Sequence, residues 1–149
     1  MIIIKAHIEH LELIVPLFDA YREFYGQPTD NDAAKQFLFE RLKNKESIIF
    51  LALVDNLAVG FTQLYPSFSS VSMHPIYILN DLYVMNAYRK KGIGVALLNK
   101  AKQLCREQKY KGLGLQTETS NPAQHLYESL GWKKDHDLQY FWTNDELSS

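Results

Sequence analysis

The run Asn80-Asp81-Leu82-Tyr83-Val84-Met85-Asn86-Ala87-Tyr88-Arg89-Lys90-Lys91-Gly92-Ile93-Gly94 sets an apolar strand and a polar turn ahead of three consecutive cations and two glycines. An amphipathic segment follows at once. These are the parts of an anion cradle. The first turn of a helix carries backbone N–H groups without intrahelical acceptors and a partial positive charge of roughly half a unit. Glycine lets a bulky anion approach that backbone closely, and Arg89, Lys90 and Lys91 add charge. Two common phosphate loops are excluded by spacing. A P-loop needs Gly-x-x-x-x-Gly-Lys-Ser/Thr, which the chain lacks. A dinucleotide fingerprint needs a third glycine where Leu97 stands. What remains is Arg89-x-x-Gly92-x-Gly94.

The elements that must position this loop follow from periodicity. Ile76 to Val84 reads as the strand feeding it. From Gly94 a helix carries Leu97, Leu98, Ala101, Leu104 and Cys105 on one face, so Cys105 reads as core filling. Gly112 to Glu118 is a strand whose two glycines mark the close passage of a backbone or ligand. Asn121 caps a helix with Pro122 in its first position, and Gly131 stops it. Trp132 to Lys134 and Leu138 to Thr143 are expected as closing antiparallel strands.

Upstream, Ile2 to Ile8 reads as a first strand and His10 to Phe24 as a helix. Pro16 either kinks that helix or marks a true start near Val15. Asp30 or Asn31 caps a second helix to about Asn44. Ser47 to Val54 and Ala58 to Tyr65 form a hairpin across Asp55-Asn56. Pro66 to Pro75 is serine-rich and is expected as an exposed loop.

The chain has 149 residues, a net charge of −1 and one cysteine. The length fits a single domain, 1–149, with a sizeable core. The charge argues against a nucleic-acid partner held by general basicity. A lone cysteine excludes an internal disulfide and suits a reducing, cytoplasmic setting. No apolar run reaches the roughly 20 residues of a membrane span, and the N-terminus turns polar too early for a signal peptide. His7 and His10 straddle a strand–helix boundary without acidic or cysteine partners, so no metal site is expected.

Arg89-x-x-Gly92-x-Gly94 resembles the pyrophosphate loop of the GNAT acyltransferases, the Gcn5-related N-acetyltransferases that use acetyl-CoA. A second match, Tyr127-Glu128-Ser129-Leu130-Gly131-Trp132, resembles the family's Tyr-x-x-x-Gly-aromatic signature. The order β-α-α-β-β-β-α-β-α-β-β, over nearly the whole chain, is that of the same fold. The resemblance implies an α/β (α+β) architecture with a mixed, mostly antiparallel sheet, flanking helices and two central parallel strands that splay apart. Ile78 to Met85 looks like the compact diamine- and histone-acetylating branches.

By that resemblance, the pantetheine arm lies in the splay and pairs with backbone groups of Leu82, Tyr83 and Val84. The pyrophosphate sits on Lys91, Gly92, Ile93, Gly94 and Val95, with charge from Arg89 and Lys90. Asn121, six residues before Tyr127 where relatives place an asparagine seven before, is the matching cofactor contact. Tyr127 holds the position of the general acid that protonates the CoA thiolate. An alkylamine with a pKa near ~10.4 is almost wholly protonated at neutral pH, so a proton must be removed. Asp81 is the better base by chemistry. Asn80, expected on the opposite pleat, stands where the diamine-acetylating relatives carry a carboxylate, a departure that puts polyamine specificity in doubt. Glu118, His74 and attack through ordered water stay open. The acceptor is expected between Tyr21 and Asp32, where Tyr25 and its acidic neighbours suit an ammonium. A small amine, an amino acid or a protein lysine fits, and dimers occur in the family. The rival reading is a silent CoA-binding or sensing module.

Overall fold

The computed structural model describes residues 1–147. The chain divides into two compact units, the second beginning at Thr117. In the first, five strands lie side by side in chain order: β1 (Ile2–Lys5), β2 (Ile48–Val54), β3 (Leu57–Ser69), β4 (His74–Val84) and β5 (Leu113–Gly114). All neighbours are antiparallel except β4 and β5, which are parallel. The apolar continuity of β2 has its reason in burial on both pleats. Ile49 and Leu51 pack with Phe61 against α1 (Leu11–Phe24) and α2 (Asn31–Lys43). Phe50 and Ala52, on the alternate pleat, are also buried, and α3 (Ile93–Glu107) packs across β2, β3 and β4. The expected inner face of α3 is the observed one, with Cys105 among its buried residues.

Several boundaries moved. β1 ends at Lys5 rather than Ile8, because a 3-10 turn at Ile8–His10 leads into α1. The irregularity expected around Pro16 is not found. α1 itself runs unbroken through Pro16, held by buried Ile14, Val15, Leu17 and Phe18. The His7–His10 spacing is a capping contact, in which the His7 N–H donates to His10 Nδ1 at 2.9 Å. Asp30 caps α2 by accepting from the Ala33 N–H.

The serine-rich segment is not a free loop. β3 and β4 pair from Pro66↔Tyr77 out to Ser69↔His74, leaving a turn at residues 70–73. Serine content signals a polar surface, which a hairpin beyond the core also has.

In the second unit, α4 (Ala123–Ser129) is the one helix among the described residues. The Asn121 Oδ1 accepts from the Ala123 N–H at 2.9 Å, the expected cap. The closing strands expected over Trp132–Lys134 and Leu138–Thr143 are irregular backbone. The strand over Gly112–Glu118 is short, with only Leu113 and Gly114 in the sheet. Alternating apolar residues make a strand only where a neighbouring backbone completes the ladder.

Candidate active site

β4 is paired differently along its length. Toward β3 it is paired throughout, but β5 accompanies it only at Tyr77↔Leu113 and Ile78↔Gly114. Leu79–Val84 therefore continue without a strand on that side. Within this stretch the β3 register slips, with Leu64 opposite Leu79 and Gln63 opposite Asp81. Asn80 is thus the extra residue of a β-bulge. A bulge takes backbone groups out of the ladder, and here side chains recover them. The Tyr21 hydroxyl donates to Asn80 O at 3.2 Å, and the Thr62 hydroxyl donates to Asp81 O at 2.8 Å. Beyond the bulge, Met85 N–H bonds Val59 O at 2.8 Å. By strand alternation, Leu82 and Val84 then turn their N–H and C=O away from β3, whereas those of Tyr83 face it.

The bulge overturns the expectation that Asn80 and Asp81 lie on opposite faces. Asn80 Nδ2 donates to Asp81 Oδ1 at 2.7 Å, and Gln63 Nε2 donates to Asp81 Oδ2 at 2.6 Å. The Asp81 carboxyl is 1% exposed. Burial pushes its pKa up from the ordinary carboxylate value, while hydrogen bonds from Asn80, Gln63 and Tyr21 pull against that. Burial, followed by the charge on Asp81, also raises the tyrosines around it: Tyr65 is pushed up to about 12, and Tyr21 higher still.

The cradle is built as its composition suggests. Gly92 is the N-cap of α3 at φ +83°, a left-handed backbone that glycine adopts without strain. It has no side chain to cap the helix. Ala96 N–H already bonds Gly92 O at 3.0 Å, so the first-turn N–H groups of Ile93, Gly94 and Val95 are those without an intrahelical acceptor. Lys90 and Lys91 are exposed beside them, Lys91 lying 5.4 Å from the Tyr88 ring centre. Arg89 reaches back instead. Its Nε donates to Val84 O at 2.9 Å, and its guanidinium lies over the Tyr83 ring. Of the outward groups at the end of β4, the Val84 carbonyl is thus already taken.

Tyr25 is half-exposed at the end of α1 and meets Tyr21 edge-on at 5.0 Å and Phe24 at 5.2 Å. His74 opens β4, and seven residues of extended chain put it about 20 Å from the bulge. Asp30 is committed to the cap of α2. The second unit holds Glu118, Asn121 and Tyr127. The Glu118 carbonyl accepts from Asn121 N–H, and Asn121 caps α4. Tyr127 lies in the last turn of α4. Trp132 N–H bonds Tyr127 O at 3.0 Å, Gly131 N–H bonds Glu128 O at 3.1 Å, and Gly131 sits at φ +96°. That is a Schellman stop, and the Tyr127 and Trp132 rings, 6.2 Å apart, supply its apolar contact. The signature spacing is therefore the spacing of a helix C-terminus.

Sequence reasoning passed over Gln63, Tyr65, Gly60 and Asp19. Gln63, like Thr62 before it, is a fully buried polar residue of β3, and a glutamine set within an apolar run was its signal. A Cβ on Gly60 would lie 3.0 Å from Tyr83 O and 3.4 Å from Ile93 Cγ2, so this glycine lets α3 and β4 close on β3. Asp19, 4% exposed, accepts from Asp30 N–H at 2.8 Å and from the Thr29 hydroxyl, tying the α1–α2 loop to α1. Those bonds hold its pKa below the usual carboxylate range. Among the described residues, no three His, Cys, Asp or Glu side chains group as metal ligands, and no helix is long and apolar enough to cross a membrane.

The model of the Acetyltransferase (GNAT) family matches residues 14–132, spanning both units. An uncharacterized N-acetyltransferase of Bacillus subtilis, YhfO, is 48% identical over 88% of this chain and 89% of its own length. An N-alpha-acetyltransferase of Sulfurisphaera tokodaii is 30% identical over 74% of this chain and 71% of its own length. The crystal structure of a probable acetyltransferase superposes with a TM-score of 0.90 at 41% identity, covering 100% of this chain and 99% of the other.

Proposed function

This chain belongs to the GNAT family of acetyltransferases, and from that premise we propose that it transfers the acetyl group of acetyl-CoA to a primary amine. One observation carries the reading: β4 parts from β5 after Ile78, and the same strand leads to the uncapped helix start at Gly92. The outward groups of Leu82 and Val84 N–H are suited to the amides of the pantetheine arm. The N–H groups from Lys91 to Val95 suit the pyrophosphate, with charge from Lys90 and Lys91. Acetyl-CoA supplies a thioester carbonyl, and the residues around the bulge act on the acceptor. Asp81, its pKa raised by burial, takes the proton that an ammonium must lose. Tyr127 is the acid for the departing thiolate, a role that rests on its motif.

The acceptor is a small amine, an amino acid or a protein amine. The name of the archaeal N-alpha-acetyltransferase brings α-amino groups into that range. The exposed rings of Phe24 and Tyr25 favour an ammonium through cation–π contact. The lone cysteine suits the cytoplasm, and a homodimer is the family analogy that sedimentation checks. The deciding experiment measures CoA thiol release from acetyl-CoA with a peptide α-amine, a lysine peptide, an alkyl diamine and an aminoglycoside. Amine-dependent thiol release is expected. Saturable CoA binding without thiol release from any of the four supports the silent CoA-binding module instead.

A further inference from the structure

Asp81 presents a problem of access. At 1% exposed, with Asn80 on one oxygen and Gln63 on the other, its carboxyl has no surface that an acceptor amine can touch. Tyr21 has one. Its ring is fixed against Phe61 at 5.9 Å and Tyr25 at 5.0 Å, and its hydroxyl reaches the Asn80 carbonyl on the bulge. It is partly exposed, and turning its one proton from the Asn80 carbonyl presents it to the neighbouring Asp81 carboxylate, whose charge it feels. We propose that Tyr21 is the proton relay between the acceptor amine and Asp81, making the buried carboxylate usable as a base from outside. The proposal rests on the reading that an amine is acetylated beside the Asn80–Asp81 bulge.

The step balances without a co-reactant. An N–H proton of the acceptor ammonium passes to Tyr21 Oη as the phenol proton passes to Asp81, leaving a neutral amine, a neutral tyrosine and a protonated carboxyl. The amine then forms the C–N bond to the acetyl carbon while the C–S bond breaks. The departing thiolate takes up one proton as the new amide nitrogen gives one up, so the transfer is proton-neutral. Asp81 later returns its proton to solvent through Tyr21. This route keeps Tyr21 neutral before and after each transfer, as its strongly raised pKa requires.

Gln63 suits a carboxyl that changes state. Its Nε2 donates to the ionised form, and its fully buried Oε1 has no hydrogen-bond partner in the structure. Half a turn of the amide offers that oxygen to a protonated Asp81, so either state finds a complementary group. The groups facing Asp81 are Tyr21 from α1, Gln63 and Tyr65 from β3 and Asn80 from its own strand. The charge beyond them is Arg41 on α2, which acts on Tyr65.

The test compares Tyr21→Phe and Asp81→Asn with the wild type, using the fastest amine of the four probes and following kcat/KM against pH, CoA binding and Tm. Tyr21→Phe keeps the ring packing but loses the bond to the Asn80 carbonyl, so CoA affinity is expected to hold and Tm to fall only slightly. Its kcat should fall at least tenfold. The acid limb should move to higher pH, because a hydrogen bond that lowers the Asp81 pKa is gone. Asp81→Asn should abolish that limb. Tyr21→Phe with wild-type kcat and an unmoved limb overturns the relay while leaving Asp81 as base. A lower kcat with a lowered Tm and an unmoved limb shows a packing role and overturns it too. A wild-type limb in Asp81→Asn overturns the base assignment beneath it, and no turnover of any probe removes the enzyme reading and the relay together.

Discussion

The stretch from Asn80 to Gly92 is built from different materials at its two ends. At the Gly92 end the available groups are backbone, with first-turn N–H groups and a left-handed glycine, beside two exposed lysines, one of them over the Tyr88 ring. At the Asn80–Asp81 end it is side chains in a buried network drawn from α1, β3 and β4. The first needs only local sequence, because helix starts and glycine turns are decided by neighbours. The second needs the register of two strands and the angle of a helix. Binding and proton transfer should therefore separate on mutation.

The largest expected effect is on chemistry. Asp81→Asn should lower acetyl transfer by about a hundredfold or more, within the range of general acid–base catalysis, while CoA affinity measured by calorimetry stays within about twofold of the wild type, its binding groups being left in place. Equal losses in both would mean that the two ends are not separable. Gly92→Val should do the reverse. A branched residue at φ +83° costs about 1–2 kcal/mol and crowds the cradle. CoA affinity should fall about tenfold, with kcat at saturation retained if that strain is felt by the cradle alone.

Gly60→Ala probes what joins the ends. Its Cβ meets backbone, Tyr83 O at 3.0 Å, which cannot swing aside. A loss of about 1–2 kcal/mol is expected, read as a fall in Tm of roughly 2–8 °C. An unchanged Tm would show that α3 and β4 have slack. The smallest effect is at Lys90, which sits at φ +62°. Lys90→Gly should weaken CoA binding only a few-fold, an effect that fades with salt, while stability holds or rises by up to about 1 kcal/mol. Opposite signs from one substitution would mark Lys90 as kept for charge.

The same division explains what the sequence disclosed. The cradle, the inner face of α3 and the Asp30 and Asn121 caps were legible because each is written in consecutive residues. The Asn80–Asp81 pairing was not, since period-2 alternation puts neighbours on opposite faces and only a register slip against β3 brings them together. Gln63 and Tyr65 were hidden for the same reason. The hairpin at Pro66–Pro75 was misread because its serines report solvent, not backbone geometry. The closing strands were expected as an antiparallel pair across Asp135-His136-Asp137, and a turn sequence does not by itself supply the ladder that makes a strand. The Tyr127 signature was read as chemistry, yet its spacing is fully accounted for by the Schellman stop at Gly131, so the role of the tyrosine hydroxyl must be tested separately from the motif.

Two buried aspartates set opposite pH trends. The Asp19 pKa is depressed, so its stabilisation of the α1–α2 loop is present above the ordinary carboxylate range near ~3.9 and lost as pH falls below it. The Asp81 pKa is raised, so its ionisation weakens the fold as pH climbs from that range through its folded value. Thermal unfolding against pH should show Asp19→Asn flattening the loss of stability on the acid side and Asp81→Asn flattening the fall in stability as pH climbs above it. The reverse assignment would contradict both environments.

The most direct test of a site strung along β4 is a CoA titration of the isotopically labelled protein followed by backbone amide resonances. The account predicts that the amides of Gly92 to Val95 and of Leu82 and Val84 shift together and saturate at one affinity. Saturable binding that leaves those amides unmoved, or no saturation at all, would contradict it.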